Sequence, residues 1–466
     1  MRQVLHIFKK DVRYLRAEIC LVAALTTILA WKVGQQWAQT LLALAATYLI
    51  ARLVHAEAIP GDHQFWITRP YRWQSLLGAK ILFTLAFVSL PTLLAQMYML
   101  KEAGFAIAPN LPAVLWSQIL NVSAVWLSVA ALASVTPSIL PFNFAAFALV
   151  AVGFIFEQST IFHLTGVKWP VGFDWIRNSF GLLAIITVTL CVLCIQYKKR
   201  RTLFSRLFAV AGLTMIAVAY LYLPSTWAMN LQTRFPAQRT PPPSLQFELA
   251  TPAESRSPAR GWADVPLAVN GVPDNEDLEF DYARFEFQAP DGRLTQVDVV
   301  GANRQSTTAG AALFDFPFRI PASLFKGGQG DAVTFRASFY LTLFGNPRTK
   351  TIPLRRQPQD VADRLRCSLG IFNRFVCESP FRWPSGIVYV QTGGAIAPLG
   401  YLVSYSPFPA GINLDDSIEG RWTSVVSPFA SEATVTVKEP VAHFRRDIRI
   451  ANFRISDFSD PQPPTT

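Results

Sequence analysis

The 466-residue chain is 51% hydrophobic and 16% charged, with a mean hydropathy of +0.28. That balance excludes an ordinary soluble enzyme and points to membrane-spanning segments. The formal charge of +11 lies wholly in residues 1–223, which hold 18 Lys and Arg against 7 Asp and Glu, whereas the remaining 24 cations and 24 acids cancel. A basic excess confined to the apolar half sets topology or meets lipid headgroups, and it leaves the polar half no net field with which to neutralise nucleic-acid phosphates.

Residues 1–16, MRQVLHIFKKDVRYLR, repeat Met1, Val4, Leu5, Phe8, Val12 and Leu15 at three- and four-residue spacing, with Arg2, Lys9, Arg13 and Arg16 on the other side. This predicts an amphipathic helix lying in the headgroup region, which either only orients the span that follows or also serves as a docking surface. Seven apolar segments come next, at about 17–33, 37–54, 79–99, 114–134, 139–156, 179–195 and 207–223. A crossing needs roughly 20 apolar residues, with ~17 tolerated where flanking residues snorkel. The first segment could pass for a secretory signal, but no small-residue cleavage site follows ILAWKVG.

If odd-numbered spans leave the cytoplasm, fourteen cations between Arg2 and Arg206 lie inside, and among the short outer loops only Lys32, Lys101, Lys168 and Arg177 remain. That bias places the amino terminus in the cytoplasm and the large carboxyl-terminal part outside it. The turn at Thr136 and Pro137 carries no charge, so the spans on either side of it rest on hydropathy alone.

Between the second and third spans lies GDHQFWITRPYRWQSLLGAK, residues 61–80. Asp62 can cap a short helix, Phe65 and Trp66 suit a membrane–water boundary, Pro70 breaks the chain, and Trp73 to Leu77 can open the next helix. An interfacial elbow accounts for these features, although a loop that only turned round could be much shorter. With the basic amino-terminal helix and the spans around it, the run FWITRPYRWQSLLGAKILF resembles the membrane subunits of type-2 ABC exporters over roughly residues 1–200. The resemblance implies that Phe65, Trp66, Arg69, Pro70, Arg72 and Trp73 form a coupling segment, with Phe8, Arg13 and Arg16 of the interfacial helix beside it. Together they would dock on a separate ATP-hydrolysing subunit. It further implies a second permease copy and a short re-entrant element before the sixth span, for which residues 157–178 have the length and amphipathicity. A seventh span with a large outer domain departs from that family, most of whose members end in the cytoplasm after six.

No GxxxxGK[ST] loop occurs, so ATP and Mg would be used by the partner and no cofactor is expected on this chain. HExxH and GxSxG are absent as well. His55, Glu57, Asp62 and His63 are near one another in sequence, but His55 and His63, eight residues apart in an interfacial loop, are read as solvent-facing polar groups, and no metal is expected. Cys191 and Cys194 form a CxxC inside the sixth span, where they read as small packing residues.

After a linker at 224–244, residues 245–458 alternate in the manner of strands. In DAVTFRASFYLTLF, the residues Val333, Phe335, Ala337, Phe339, Leu341 and Leu343 share one face. LEFDYARFEF from Leu278, GIVYVQT from Gly386 and ATVTVKEP from Ala433 are further strands, with turns such as NGVPDN and APDGRL between them. The reading is an all-β extracytoplasmic domain of one or two antiparallel sandwiches. Cys367 and Cys377 are its only cysteines, an even pair that suits a local disulfide on the oxidising side of a membrane. Trp262, Trp383 and Trp422 could stack on sugars or fill the core. Residues 459–466 read as a disordered tail.

The expected architecture is therefore an interfacial helix (1–16), a six-span permease-like domain (17–206), a seventh span (207–223), and an outer β domain. The leading functional expectation is a bacterial cytoplasmic-membrane permease subunit of an ABC exporter. The alternative is a non-transporting, membrane-anchored sensor or assembly protein whose β domain binds a periplasmic partner.

Overall fold

The computed structural model describes residues 2–31, 36–56, 72–158, 174–222, 225–234, 244–250, 262–299, 303–308, 311–321, 332–362, 365–369, 374–378, 386–392, 395–402, 422–425 and 431–458. The amino-terminal half is helical. Helix α1 (Arg2–Tyr14) meets α2 (Arg16–Trp31) at a bend of 78°, and α3 (Gln36–His55) follows. Helix α4 (Trp73–Thr84) passes through a π-helical turn, Leu85–Ser89, into α5 (Leu90–Glu102). Pro91 lacks the N–H that would bond the carbonyl of Phe87, and the widened turn covers that position. Helix α6 (Ile107–Leu120) likewise continues through Asn121–Trp126 into α7 (Leu127–Val135). After α8 (Ile139–Gln158), α9 (Asp174–Cys194) ends in the π turn Ile195–Lys199, and α10 (Thr202–Tyr222) and α11 (Ser225–Gln232) complete the helical part.

Among the described residues five helices are long and apolar enough to cross a membrane, Trp37–His55, Trp73–Glu102, Ile107–Val135, Ser179–Lys199 and Thr202–Ala219, and the bent α1–α2 pair would make a sixth. The expected 139–156 span lies within α8, a 20-residue helix that is not among these five. The expected linker contains α11, two turns of helix hidden by the Pro-rich composition that follows it.

Among the described residues the carboxyl-terminal half is β structure in three antiparallel sheets. Its strands are β1 (Gln246–Leu249), β2 (Trp262–Asn270), β3 (Asp277–Gln288), β4 (Leu294–Val299), β5 (Asn303–Thr308), β6 (Ala311–Arg319) and β7 (Val333–Pro353), followed by β8 (Gln359–Ala362), β9 (Leu365–Leu369), β10 (Arg374–Glu378), β11 (Gly386–Thr392), β12 (Ala395–Leu402), β13 (Trp422–Val425) and β14 (Glu432–Phe453). The sheet orders are β1-β2-β6-β5, β13-β10-β9-β8 and β12-β11-β14-β7-β3-β4. Strands β7 and β14, of 21 and 22 residues, pair along their length, from Glu432 opposite Pro353 to Phe453 opposite Val333. The strand predicted from Ala433 therefore continues past Pro440, which is tolerated because the register shifts between Pro440 and Ala442.

One end of this long pair shares a core with the first sheet. Phe280, Phe285, Phe335 and Phe339 on one side meet Phe314, Phe316 and Phe318 on the other, with Phe280 and Phe314 centroids 4.4 Å apart and edge to face. Each buried ring contributes on the order of 1.5–3 kcal/mol. The apolar face predicted for β7, Val333 to Leu343 by twos, is the face that fills this core. At the other end Ile352, Val388, Val390 and Val435 pack on Leu365 and Phe375 of the second sheet, beside the disulfide that joins Cys367 to Cys377. These cysteines oppose each other across β9 and β10.

Candidate functional site

Helix α1 is built into the bundle along a seam that differs from the predicted stripe. Ile7, Asp11 and Leu15, four residues apart, are its most buried positions, at 1%, 0% and 0% exposure, while Leu5 is 45% exposed. Asp11 sets this rotation. Its Oδ2 is 2.9 Å from Nζ of Lys80 on α4, and the two side chains are 1% and 4% exposed. A charge is retained at such depth only where a counter-charge meets it. Phe8 faces the same way, stacked on Phe87 at 5.8 Å and edge-on to Phe83 at 6.2 Å.

A second contact fixes the α1–α2 bend from α3. The Arg52 guanidinium lies 3.6 Å from Glu18 Oε1 on α2, donates to the Tyr14 and Tyr48 hydroxyls at 3.4 Å each, and sits over the Tyr14 ring at 5.6 Å. Helix α1 is thereby tied to two different spans. At the same end of the bundle the α7–α8 turn is held by His55, whose Nε2 lies 3.1 Å from the Thr136 carbonyl, and by Arg206, whose Nε donates to the Val135 carbonyl at 2.8 Å.

Of the residues expected to couple the chain to an ATPase, Phe65, Trp66, Arg69 and Pro70 lie outside the described residues, as do Glu57, Asp62, His63 and the 459–466 tail. Arg72 is exposed and extended just before α4, and Trp73 opens that helix, half-buried against a cluster containing Val4, Ile7 and Tyr197. Arg13 and Arg16 point to solvent, whereas Phe8 turns inward. The structure thus gathers Phe8 and Trp73 around α4 and adds Asp11, Lys80 and Arg52, which were not among the expected coupling residues. Asp11 had a signal, as a lone acid four residues after Ile7 in a run of cations. Cys191 and Cys194 are free thiols, and the described residues contain no cluster of three or more metal-ligating side chains.

The β half meets the opposite end of the bundle. Helix α5 closes in a Schellman turn, with Gly104 N–H donating to Lys101 O and Phe105 N–H to Leu100 O, both at 2.9 Å, and with Gly104 at φ +80°. From β9, Arg366 donates through Nη1 to the Ala103 carbonyl at 2.5 Å and lies 5.7 Å from the Phe105 ring centre. A cation at a helix carboxyl end is favourable. Arg366 is itself held by Asp360, 2.8 Å from its Nε, and donates to the Pro358 carbonyl at 3.2 Å. A second link runs from the Tyr340 hydroxyl to Asn230 Oδ1 of α11, at 3.1 Å.

Within the β half, Thr342 is fully buried between Asp281 and His443. Its hydroxyl donates to Asp281 Oδ2 at 2.7 Å, so His443 Nδ1, also at 2.7 Å, must be the donor in that contact. Burial pushes His443 down to about 4, which keeps it neutral near pH 7. With its proton committed to Asp281 and no exposed surface, Thr342 is a structural link and is not placed to attack a substrate.

No family model matches the chain, and no curated protein matches it in sequence. Among solved structures, the alkylpurine DNA glycosylase AlkC of Pseudomonas fluorescens, bound to DNA containing an abasic-site analogue, is similar at 10% identity and a TM-score of 0.16, covering 71% of this chain and 95% of that one. Red sea bream transglutaminase is similar at 8% identity and a TM-score of 0.12, covering 50% of this chain and 32% of its own. Scores this low carry no argument about fold or function.

Proposed function

We propose that the chain is the membrane-spanning permease subunit of an ABC-type exporter, driven by a separate ATP-hydrolysing subunit that holds the ATP and Mg. In this reading α8 also crosses, giving seven spans. Two permease copies work together in a bacterial cytoplasmic membrane, with the amino terminus inside and the β half, as sandwiches, outside. One observation carries the reading: the Asp11–Lys80 pair ties α1 to α4, the helix into which the segment bearing Trp66 and Arg69 leads directly. A push on either surface then reaches the same span, as a rigid-body mechanism requires. The alternative, a membrane-anchored sensor or assembly protein, draws on Arg366, through which a ligand on the β half could move the α5–α6 turn.

The test is affinity isolation of the tagged protein from detergent-solubilised native membranes, with ATPase activity assayed on the eluate. Co-elution of an ATPase that is lost in the Trp66→Ala, Arg69→Ala variant is the expected result. Isolation of intact protein without an ATPase, under conditions that preserve other membrane complexes, would overturn the exporter reading in favour of the alternative.

A further inference from the structure

We infer that the end of the bundle carrying α1 forms a binding surface for anionic phospholipid headgroups, built from two segments far apart in sequence. One is α1, with Arg2 and Lys9 exposed; the other is the turn after α9, with Lys198, Lys199 and Arg201 exposed. Val4 and Ile7 of α1, Trp73 and Leu76 of α4 and Tyr197 of the turn belong to one apolar cluster, so the two groups of cations flank a common knot. The turn has a defined shape. Arg200 adopts φ 52°, and its N–H donates to the carbonyls of Ile195 and Gln196 at 3.1 Å each, which ends the π turn and starts α10 two residues later.

Depth selects the partner. Helix α1 leaves α2 at 78°, so if α2 crosses the bilayer α1 lies near its plane, at the level of the headgroups. Its buried side faces the bundle and its cations face away. Among the described residues of this end the acids are already engaged, Asp11 with Lys80 and Glu18 with Arg52. The counter-charge for the cations must therefore come from outside these residues, and the lipid phosphates are at the right height. Each such cation favours an anionic leaflet by about fivefold, within a Debye length of roughly 8–10 Å.

The experiment uses the full chain alone, without any ATPase, so its outcome is independent of the exporter reading. Purified protein is reconstituted into vesicles of phosphatidylcholine, or of phosphatidylcholine mixed with phosphatidylglycerol, and the thermal unfolding midpoint is measured at low and high salt. Phosphatidylglycerol should raise the midpoint, the gain should shrink as salt rises, and a variant carrying Lys9→Gln, Lys198→Gln, Lys199→Gln and Arg201→Gln should lose it. Removing four cations from the β half instead, Arg319→Gln, Arg355→Gln, Arg356→Gln and Arg454→Gln, should leave the gain intact. Equal midpoints in the two lipids would overturn the proposal and leave the surface to a protein partner, as would a gain that survives in the first variant or disappears in the second.

Discussion

Asp11 and Lys80, 69 positions apart, meet in a 2.9 Å ion pair between α1 and α4 that is almost fully shielded from solvent. Removing one partner leaves the other charge buried with its main counter-ion gone, at a cost of about 3–5 kcal/mol, whereas replacing both by apolar groups of similar size can be nearly neutral. Asp11→Leu or Lys80→Met alone should therefore lower the unfolding midpoint sharply, and the double variant should recover most of the loss. If the two changes simply added, the pair would have no energetic coupling. In the exporter reading the double variant has a second use, since it should fold yet transmit movement from α1 to α4 less well.

Gly104 and Arg366 form the corresponding contact at the far end. A Cβ at Gly104 would run into the Arg366 guanidinium, and φ +80° is costly for any side chain that carries one. Gly104→Ala should cost about 2–4 kcal/mol, combining backbone strain with the displaced charged hydrogen bond. Arg366→Ala removes that hydrogen bond and should cost about 1–3 kcal/mol. Because the clash needs both residues, the double variant should lose less than the sum. Limited proteolysis provides a second readout, with the β half released faster from the bundle in Arg366→Ala while each half stays folded.

The parts of the fold legible in the sequence are those governed by local periodicity. The alternation in β7, the strand from Leu278 and the apolar runs of the spans each follow from a repeat of about two or from a long hydrophobic stretch, and both survive into the structure. What could not be read depends on partners distant in sequence. Leu5 belongs to the apolar stripe of α1 by spacing, but the helix is rotated toward Asp11 because Lys80 lies opposite. Arg366 looks like any strand arginine until the Ala103 carbonyl, 263 positions away, is brought against it. Thr342, on the polar face of β7 by alternation, is fully buried because His443 and Asp281 cover it.

The Cys367–Cys377 disulfide clips β9 to β10 next to Arg366 and closes a short loop of sequence separation 10. Its stabilisation acts mainly through the unfolded chain and is worth about 3 kcal/mol. A Cys367→Ala, Cys377→Ala variant should unfold at a lower midpoint than the oxidised protein and be indifferent to reductant, whereas the native protein should fall toward the variant when a dithiol is added. A native midpoint unmoved by complete reduction, verified by thiol labelling in denaturant, would contradict the assignment.

His443 gives the β half a pH dependence of defined sign. Its ordinary value is near 6.5, and burial lowers it to about 4 in the folded state. Between these values the unfolded chain binds a proton that the folded chain refuses, so stability must fall as pH falls. The contribution of neutral His443 is complete above about pH 6.5, declines through the interval and is exhausted near pH 4, for a total of about 3 kcal/mol. Protonation would also place a charge between Thr342 and the sheet core, where Asp281, reached through the Thr342 hydroxyl, is the acid in the same chain of hydrogen bonds. Denaturant unfolding of the full chain, followed by a probe in the β half, should give a slope between pH 6.5 and 4 that is much reduced in His443→Gln. That variant keeps a side-chain donor for Thr342 without the titrating ring. An unchanged slope in the variant would assign the acid sensitivity to carboxylates elsewhere and remove His443 from the account.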